Sequence, residues 1–216
     1  VPTADYYRAL PYRDLSGRMV ADWRIRAASF DTFLNRVLLP FEKEQGRSLT
    51  VLDLGAGNGW LSYRLAQRGH TVVAADLTLN DFDGLGCHRF FDSTFTPTQA
   101  EFDFLPLLDH SVDLVIFNAS LHYSEDYLKT LTESLRVLTP IGALIILDSP
   151  VYRDGQSGAQ MVREREAEFA KRYGFPSNAL PSQNYLTYHR LHELATQLHI
   201  EWRQFTPNYG LGWTLR

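Results

Sequence analysis

The sequence predicts an α/β domain in which helices cover both faces of a doubly wound, mostly parallel sheet. Short apolar runs alternate with helical patterns through the middle of the chain, which is typical of strand–helix–strand units. The apolar runs are almost unbroken, as in strands that are buried on both faces. The first of these runs passes through a glycine-rich turn directly into a helix. In such folds, ligands bind outside the carboxyl ends of the strands.

The expected elements follow from these patterns in chain order. A helix starts near Met19, where apolar residues recur at three- and four-residue steps, and Pro40 is expected to bend or end it. Strands are expected at residues 50–54, 71–75, 98–102, 112–118, 143–148 and 200–205. Helices are expected at residues 60–67, around 83–91, and at 128–138, 160–173 and 191–198.

Composition excludes several classes of protein. The 216 residues are 44% hydrophobic with a formal net charge of −4, which suits one folded domain with additions and excludes a disordered chain. No apolar run approaches the roughly 20 residues that span a bilayer. Cys87 is the single cysteine, so an internal disulfide and a cysteine-clustered zinc site are excluded, and we expect a reducing, cytoplasmic compartment without membrane contact.

The turn after the first predicted strand indicates the type of ligand. Glycines stand at 55, 57 and 59, and this Gly-x-Gly-x-Gly spacing differs from the Gly-x-Gly-x-x-Gly of dinucleotide sites. Asp53 would repel a pyrophosphate but suits a ligand that carries an ammonium group. Asp76 ends the second predicted strand, where a carboxylate can accept hydrogen bonds from ribose hydroxyls. These features favour a nucleoside that bears an amino acid over a nicotinamide cofactor.

These motifs, with three later ones, resemble the class I S-adenosylmethionine-dependent methyltransferases of the type 11 group. The later motifs are Ala-Glu-x-x-x-Leu-Pro at 100–106, Ser-Val-Asp-Leu-Val at 111–115 and Arg-Val-Leu-x-Pro-x-Gly at 136–142. The likeness covers about residues 49–205. It implies a Rossmann-like fold with strand order 3-2-1-4-5-7-6, S-adenosyl-L-methionine as cofactor, and S-adenosyl-L-homocysteine as product.

The resemblance also divides the chain into a lid and a cofactor domain. Residues 1–48 would form an N-terminal helical lid, and residues 49–216 would form the methyltransferase domain, with the substrate-pocket insertion after residue 149. The family's seventh strand comes last, and the nine residues 208–216 fit a central strand poorly because they include Gly210 and Gly212. Because the chain also begins at Val1, we expect the natural protein to be longer and to continue beyond Arg216.

For the methionine end of the cofactor, the resemblance implies the glycine turn and the segment after the fourth strand. That segment would pass beneath the methionine and the reactive methyl group. The residues concerned are Asp53, Gly55, Ala56, Gly57, Asn58, Asn118, Ala119 and Ser120. The alternative for Asp53 and Gly57 is a tight strand-to-helix turn without a ligand.

For the nucleoside end, the resemblance implies residues after the second and third strands. Asp76 would hold the ribose, and Leu77 would pack on the adenine. Glu101, or the backbone of Phe102, would recognise the adenine amino group. The alternative for Asp76 is an ordinary helix N-cap.

His122 is the candidate base or substrate contact, because its unperturbed pKa suits proton transfer near neutral pH. The alternative is a histidine that packs against or caps the following helix. Aromatic residues in the predicted lid and after the fifth strand suggest a pocket for a small organic acceptor, although each residue alone is more typical of packing. The substrate candidates are Tyr7, Tyr12, Tyr123, Tyr152, Tyr185 and His189.

Other functions stay open at this stage. Residues 76–126 carry ten acidic residues against one arginine, which disfavours nucleic acid as a partner. Methylation of RNA or protein is nevertheless an alternative, as is a cofactor-binding module without catalysis, whereas a nicotinamide dehydrogenase is disfavoured by the glycine spacing. We assign no metal, because no metal-ligand motif is present. The acceptor and the oligomeric state cannot be read from the sequence.

Overall fold

A computed structural model describes residues 3–92, 94–175 and 181–209 of the chain. Its centre is a five-stranded sheet in the order β3-β2-β1-β4-β5, in which every neighbouring pair is parallel. The strands are β1 (Thr50–Leu54), β2 (Thr71–Asp76), β3 (Thr96–Gln99), β4 (Val112–Asn118) and β5 (Leu138–Leu147). Two short strands, β6 (Val151–Tyr152) and β7 (Leu186–Thr187), pair with each other in parallel.

The helices precede, connect and follow these strands. They are α1 (Ala4–Ala9), α2 (Val20–Phe33), α3 (Leu39–Gln45), α4 (Trp60–Gln67), α5 (Tyr127–Val137), α6 (Gly155–Tyr173) and α7 (Tyr188–Leu198). Short 3₁₀ helices cover Leu85–Phe90 and Leu121–Tyr123. None of the described helices is both long and apolar enough to cross a membrane.

Alternate residues of the central strands enter two separate cores, one on each face of the sheet. Val51 and Ile116 pack with residues of α2 and α4, including Phe30 and Leu65. The other face packs against α5 and α7, through residues such as Leu52, Phe117, Leu131 and Leu194. Because both faces are covered, the strands carry continuous apolar runs, and the predicted doubly wound fold is confirmed.

The strand register brings the predicted site residues to one edge of the sheet. Leu54 of β1 pairs with Ala75 of β2 and with Phe117 of β4. Asp76 pairs with Gln99 of β3 at the same end. The residues that follow β1, β2 and β4 therefore leave the sheet side by side, where ligands bind in this type of fold.

The predicted strand at 200–205 is wrong. The described residues after α7 form no strand there; His199 ends the helix in a left-handed conformation, with a φ of 55°. The indole Nε1 of Trp202 donates to the carbonyl of Leu191, so this segment packs back on α7 instead of pairing with the sheet. The alternation of apolar residues reflects contact with a helix. The predicted seventh strand falls mainly on residues 210–216, which lie outside the described residues.

Other differences concern the limits of elements. The helix that begins at Val20 continues past Pro40 to Gln45, because a π-helical turn, Leu34–Leu38, widens it just before the proline. The third strand is Thr96–Gln99 instead of 98–102, since Glu101 and Phe104 close a tight turn. The helix expected around 83–91 is the 3₁₀ helix Leu85–Phe90, and the fifth strand begins five residues early, at Leu138.

The predicted lid, residues 1–48, contacts the segment that follows Asp76. The Tyr7 hydroxyl donates to the carbonyl of Phe82 over 2.7 Å, and Nε of Arg8 donates to the carbonyl of Phe90 over 2.8 Å. The Tyr7 ring stacks on Phe90 with a centroid distance of 5.0 Å. These contacts connect α1 to the loop beside the predicted ribose site, but movement of a lid stays a prediction.

Candidate functional site

The glycine turn between β1 and α4 requires its glycines. Gly55, Gly57 and Gly59 have φ values of 74°, 53° and 81°, in the left-handed region that favours glycine. A Cβ on Gly55 would lie 2.3 Å from Cβ of Ser120, so any side chain there would collide with the segment after β4. The turn thus packs its bare backbone against the segment after β4, where a side chain on Gly55 would have no space.

Asp53 lies under this turn and is completely buried. Its Oδ2 accepts a hydrogen bond from the Ser62 hydroxyl over 2.7 Å, whereas Oδ1 has no partner among the described residues. Burial, reinforced by the charge of Asp76, raises the pKa of Asp53 to about 7. A buried carboxylate oxygen without a donor is costly, and it would be satisfied by a cationic group or by water.

Asp76 connects the glycine turn to the end of β2. Its Oδ2 accepts from the backbone N–H of Gly57 over 2.8 Å, and its Oδ1 accepts from that of Thr78 over 2.7 Å. A carboxylate has about four lone-pair positions, so each oxygen can accept one more hydrogen bond. Asp76 is partly exposed, so it can reach a ligand while holding the turn.

The residues predicted for the adenine differ in exposure. Leu77 is half exposed and Glu101 is exposed. Phe102 is partly buried and packs edge-to-face on Phe117, with a centroid distance of 5.6 Å. The carboxylate of Asp103 accepts a hydrogen bond from the hydroxyl of Thr130 in α5. Leu77 and Glu101 are therefore available to a ligand, while their roles stay predictions.

The segment that leaves β4 lies against the glycine turn. Asn118 is buried, and its side-chain Oδ1 has no partner among the described residues. Ala119 has a φ of 55°, unusual outside glycine, and its N–H donates to the carbonyl of Leu147 in β5. The Ser120 hydroxyl donates to the carbonyl of Leu54, so its proton secures the turn, while a contact of Ser120 with the methionine stays a prediction.

Comparison with known proteins agrees with this geometry. Residues 52–146 match the family model described as a methyltransferase domain. A solved S-adenosylmethionine-dependent methyltransferase from Aquifex aeolicus has the same fold, with a TM-score of 0.53 and 19% identity, covering 83% of this chain and 84% of that one. Over this matched segment, the resemblance to class I methyltransferases of the type 11 group is confirmed.

Curated proteins that resemble this chain act on different molecules. A malonyl-[acyl-carrier protein] O-methyltransferase of Buchnera aphidicola is 31% identical over 55% of this chain and 49% of the relative. A tRNA 5-carboxymethoxyuridine methyltransferase of Escherichia coli is 30% identical over 57% of this chain and 48% of the relative. The chain thus spans about half the length of these two relatives, and their names leave its acceptor undetermined.

His122 follows β4 and is buried, at 5% exposure. Its Nδ1 lies 3.4 Å from Oγ of Ser149, and its ring lies 4.1 Å from the Tyr123 ring. Burial, with the positive charges of Arg165 and Arg26, lowers its pKa to about 4. The imidazole is therefore neutral at neutral pH but is a weak base, and its role as a base stays a prediction.

Three of the predicted substrate residues lie after β4 and β5. Tyr123 is 45% exposed, beside His122. Tyr152 is partly buried and packs edge-to-face on Tyr185, with a centroid distance of 6.1 Å. Tyr185 is buried, and its hydroxyl donates to the carbonyl of Gly155, so it holds the start of α6 in place.

The other three have described partners elsewhere. Tyr7 is fully buried and holds the loop after Asp76 through Phe82. The exposed Tyr12 donates its hydroxyl to Oδ1 of Asp31 in α2. The His189 side chain is 80% exposed, and its Nε2 lies 3.5 Å from Oε1 of Glu193. These contacts suit structural roles, and a contact of these residues with substrate stays a prediction.

Sequence reasoning missed several charged or polar residues of this region. Asp148 directly follows β5 and has a φ of 51°. Burial raises the pKa of its carboxyl group, whereas Ser29 and the positive charge of Arg26 partly lower that pKa again. Ser62 is buried under the turn and was not identified as the partner of Asp53. The position of Asp148 directly after a parallel strand was the signal that could have found it.

Among the described residues, no group of three or more His, Cys, Asp or Glu side chains could hold a metal ion.

Proposed function

We propose that the protein transfers a methyl group from S-adenosyl-L-methionine to a small organic acceptor. The observation that carries the proposal is the pair of buried side-chain oxygens without described donors, Oδ1 of Asp53 and Oδ1 of Asn118. Both lie at the strand ends beside the glycine turn. Both oxygens can accept a hydrogen bond, and the methionine moiety of the cofactor carries an ammonium group that can donate one.

The residues of the site fit this cofactor. The carboxylate of Asp53 and the amide of Asn118 would hold the ammonium, directly or through water. Asp76 keeps lone pairs for the two ribose hydroxyls, and Leu77 offers an exposed apolar surface to the adenine. The product, S-adenosyl-L-homocysteine, would use the same groups.

The chain's own contribution to the chemistry is positioning. When bound, the cofactor supplies an electrophilic methyl group on a sulfonium, and an in-line displacement needs correct alignment above all. His122 is neutral at neutral pH because its pKa is lowered to about 4. This makes it a weak base, so its contribution would be to accept a hydrogen bond from the hydroxyl or amine of the acceptor and to orient that group.

A small acceptor is favoured over RNA or protein by the surroundings of His122. Tyr123 places aromatic surface beside His122, and Tyr152 and Tyr185 pack on each other after β5. Aromatic surface of this kind suits a compact organic molecule. The ten acidic residues and one arginine of segment 76–126 would repel a phosphate backbone. The E. coli relative that modifies tRNA keeps the RNA alternative open, and a module without catalysis is a further alternative. A cytoplasmic location belongs to the same proposal.

The proposal is tested with the full chain and S-adenosyl-L-methionine labelled in its methyl group. The enzyme is incubated with a cell extract separated into small molecules, total RNA and protein. We expect label in the small-molecule fraction, and its loss in the Asp76→Ala variant. Label confined to RNA or protein would support those alternatives, and binding without transfer to any fraction would support the non-catalytic module.

A further inference from the structure

His122 contacts Ser149 across two segments that leave neighbouring strands. Nδ1 of His122 lies 3.4 Å from Oγ of Ser149, and the two residues follow β4 and β5, respectively. These strands are parallel neighbours, and Asn118 pairs with Leu147 at their carboxyl ends. The N–H of Ala119 donates to the carbonyl of Leu147 over 2.8 Å, so the two segments are tied together where they leave the sheet. The strand register therefore brings Ser149 beside His122.

The backbone is fixed on both sides of Ser149. Before it, Asp148 has a φ of 51°, a left-handed conformation that is uncommon outside glycine and often marks a functional site. After it, the carbonyl of Pro150 accepts a hydrogen bond from the N–H of Leu186 over 2.8 Å. The pairing of β6 with β7 begins directly beyond this bond. The Ser149 hydroxyl is thus held beside the imidazole by a backbone with little freedom to move.

The imidazole of His122 leaves one of its two nitrogens available to a ligand. The ring is buried, and its centroid lies 4.1 Å from that of Tyr123. Within the part of the chain that the structure describes, Nδ1 has Ser149 as a hydrogen-bond partner, whereas Nε2 has none. Nε2 is nevertheless not sealed from solvent, in contrast to the orphaned Oδ1 of Asn118. A ligand can therefore reach Nε2.

The position of the imidazole proton decides what Nε2 can do. A neutral imidazole carries its proton on one nitrogen and accepts hydrogen bonds at the other, and the partner of one nitrogen sets the tautomer. If Nδ1–H donates to a serine oxygen, Nε2 can accept a hydrogen bond from the hydroxyl or amine of the methyl acceptor. In the opposite tautomer, Nε2–H would bind the lone pair that has to attack the methyl group.

We propose that Ser149 is a positioning residue whose hydroxyl oxygen accepts a hydrogen bond from Nδ1–H of His122 and so keeps Nε2 as an acceptor for the substrate. This inference rests on the proposed function and adds a residue to the same site. The distance of 3.4 Å is longer than that of an average hydrogen bond. Hydrogen bonds that orient catalytic groups often shorten when the substrate binds. Ser149 acts only through the imidazole.

Nitrogen-15 NMR of the full chain at pH 7.5 reports the tautomer of each histidine directly. The signals of His122, one of seven histidines, are those that disappear in His122→Gln. We expect His122 of the wild-type chain to be in the Nδ1–H form, with and without S-adenosyl-L-homocysteine. Ser149→Ala should shift the tautomer ratio toward Nε2–H by about fivefold or more, the effect of losing one ordinary hydrogen bond.

Two further variants separate this role from a merely structural one. Ser149→Thr keeps a hydroxyl at the same position and should keep the wild-type tautomer. Ser124→Ala removes a different buried hydroxyl, which lies 2.8 Å from Oγ1 of Thr130, and should leave the tautomer of His122 unchanged. Binding of S-adenosyl-L-homocysteine, measured by calorimetry, should be the same in Ser149→Ala as in the wild-type chain.

A wild-type His122 in the Nε2–H form would overturn the inference, and this measurement needs no variant that has to fold. An unchanged tautomer ratio in Ser149→Ala, or an equal shift in Ser124→Ala, would overturn it as well. In those cases, retained binding of S-adenosyl-L-homocysteine would leave the proposed function standing. Failure of the wild-type chain to bind S-adenosyl-L-homocysteine would contradict the proposed function itself and, with it, the role of Nε2 toward a methyl acceptor.

Discussion

The Ser62 hydroxyl donates a hydrogen bond to Oδ2 of Asp53 over 2.7 Å, and Oδ1 of the same buried carboxylate has no partner among the described residues. Ser62 belongs to α4 and Asp53 to β1, so the bond ties the first strand to the helix after the glycine turn. It fixes the carboxylate plane and leaves one buried oxygen without a described donor, at a cost in stability.

Because the buried carboxylate destabilises the folded chain when it is ionised, Asp53→Asn should raise the free energy of unfolding. The pKa of Asp53 is about 7 in the folded chain and about 3.8 when unfolded, so the folded state binds more protons between these values. Stability from this group is present at low pH and lost as the pH rises toward 7. In the ligand-free protein, we expect the stability advantage of Asp53→Asn to grow by on the order of 2 kcal/mol between pH 5 and pH 8.

Urea unfolding at the two pH values measures this advantage. Asp22→Asn, an exposed position in α2, is the control and should show no comparable change between pH 5 and pH 8. The same Asp53→Asn variant should bind S-adenosyl-L-homocysteine more weakly, since it lacks the charge for the ammonium. An advantage that does not depend on pH would show that Asp53 is already ionised at pH 5.

Replacement of Gly55 by alanine should disrupt the turn through two effects. A positive φ costs an alanine about 1–2 kcal/mol, and the overlap with Ser120 adds about 1–3 kcal/mol. Gly46→Ala is the matched control, because Gly46 also has a positive φ, but nothing lies within 4 Å of the position that a Cβ would take there. Chemical unfolding should show the larger loss for Gly55→Ala, together with lost cofactor binding; equal losses would mean that the close approach to Ser120 is unimportant.

Tyr7→Phe should weaken the contact between α1 and the loop after Asp76. The variant leaves the partly buried carbonyl of Phe82 without its donor, which costs about 1–2 kcal/mol. Tyr12→Phe removes a hydroxyl from an exposed bond to Asp31 and should cost less than about 0.5 kcal/mol. Thermal unfolding compares the two variants, and cofactor affinity should fall for Tyr7→Phe alone. An unchanged cofactor affinity in Tyr7→Phe would show that the contacts of α1 do not influence the cofactor site.

The environment of His122 predicts an unusual titration. Because its pKa of about 4 lies below the unfolded value of 6.5, the unfolded chain binds more protons between these values, and stability falls as the pH drops through this range. Proton NMR should show no titration of His122 between pH 6 and 8. Arg165→Gln and Arg26→Gln should each raise its pKa, whereas Arg163→Gln should not. A His122 pKa near 6.5 would contradict the burial described for it.

The fold could be predicted from sequence because the strands are buried on both faces and therefore carry long apolar runs. The turn was recognisable since its glycines have local backbone requirements. Residues 200–205 were misassigned because Trp202 packs on α7, and a period-two pattern does not distinguish a strand from a segment that covers a helix. The charges that lower the pKa of His122 were missed, since Arg26 and Arg165 belong to distant helices and sequence spacing carries no information on such long-range effects.

The central claim is that the carboxyl edge of this sheet binds an amino-acid-bearing nucleoside through Asp53 and Asp76. Calorimetric titration of the full chain with S-adenosyl-L-homocysteine at pH 7.5 tests it most directly. We predict one site per chain, with affinity reduced at least about tenfold in Asp76→Ala, which loses the acceptor for the ribose hydroxyls. Absence of binding by the wild-type chain, or unchanged affinity in Asp76→Ala, would contradict the account.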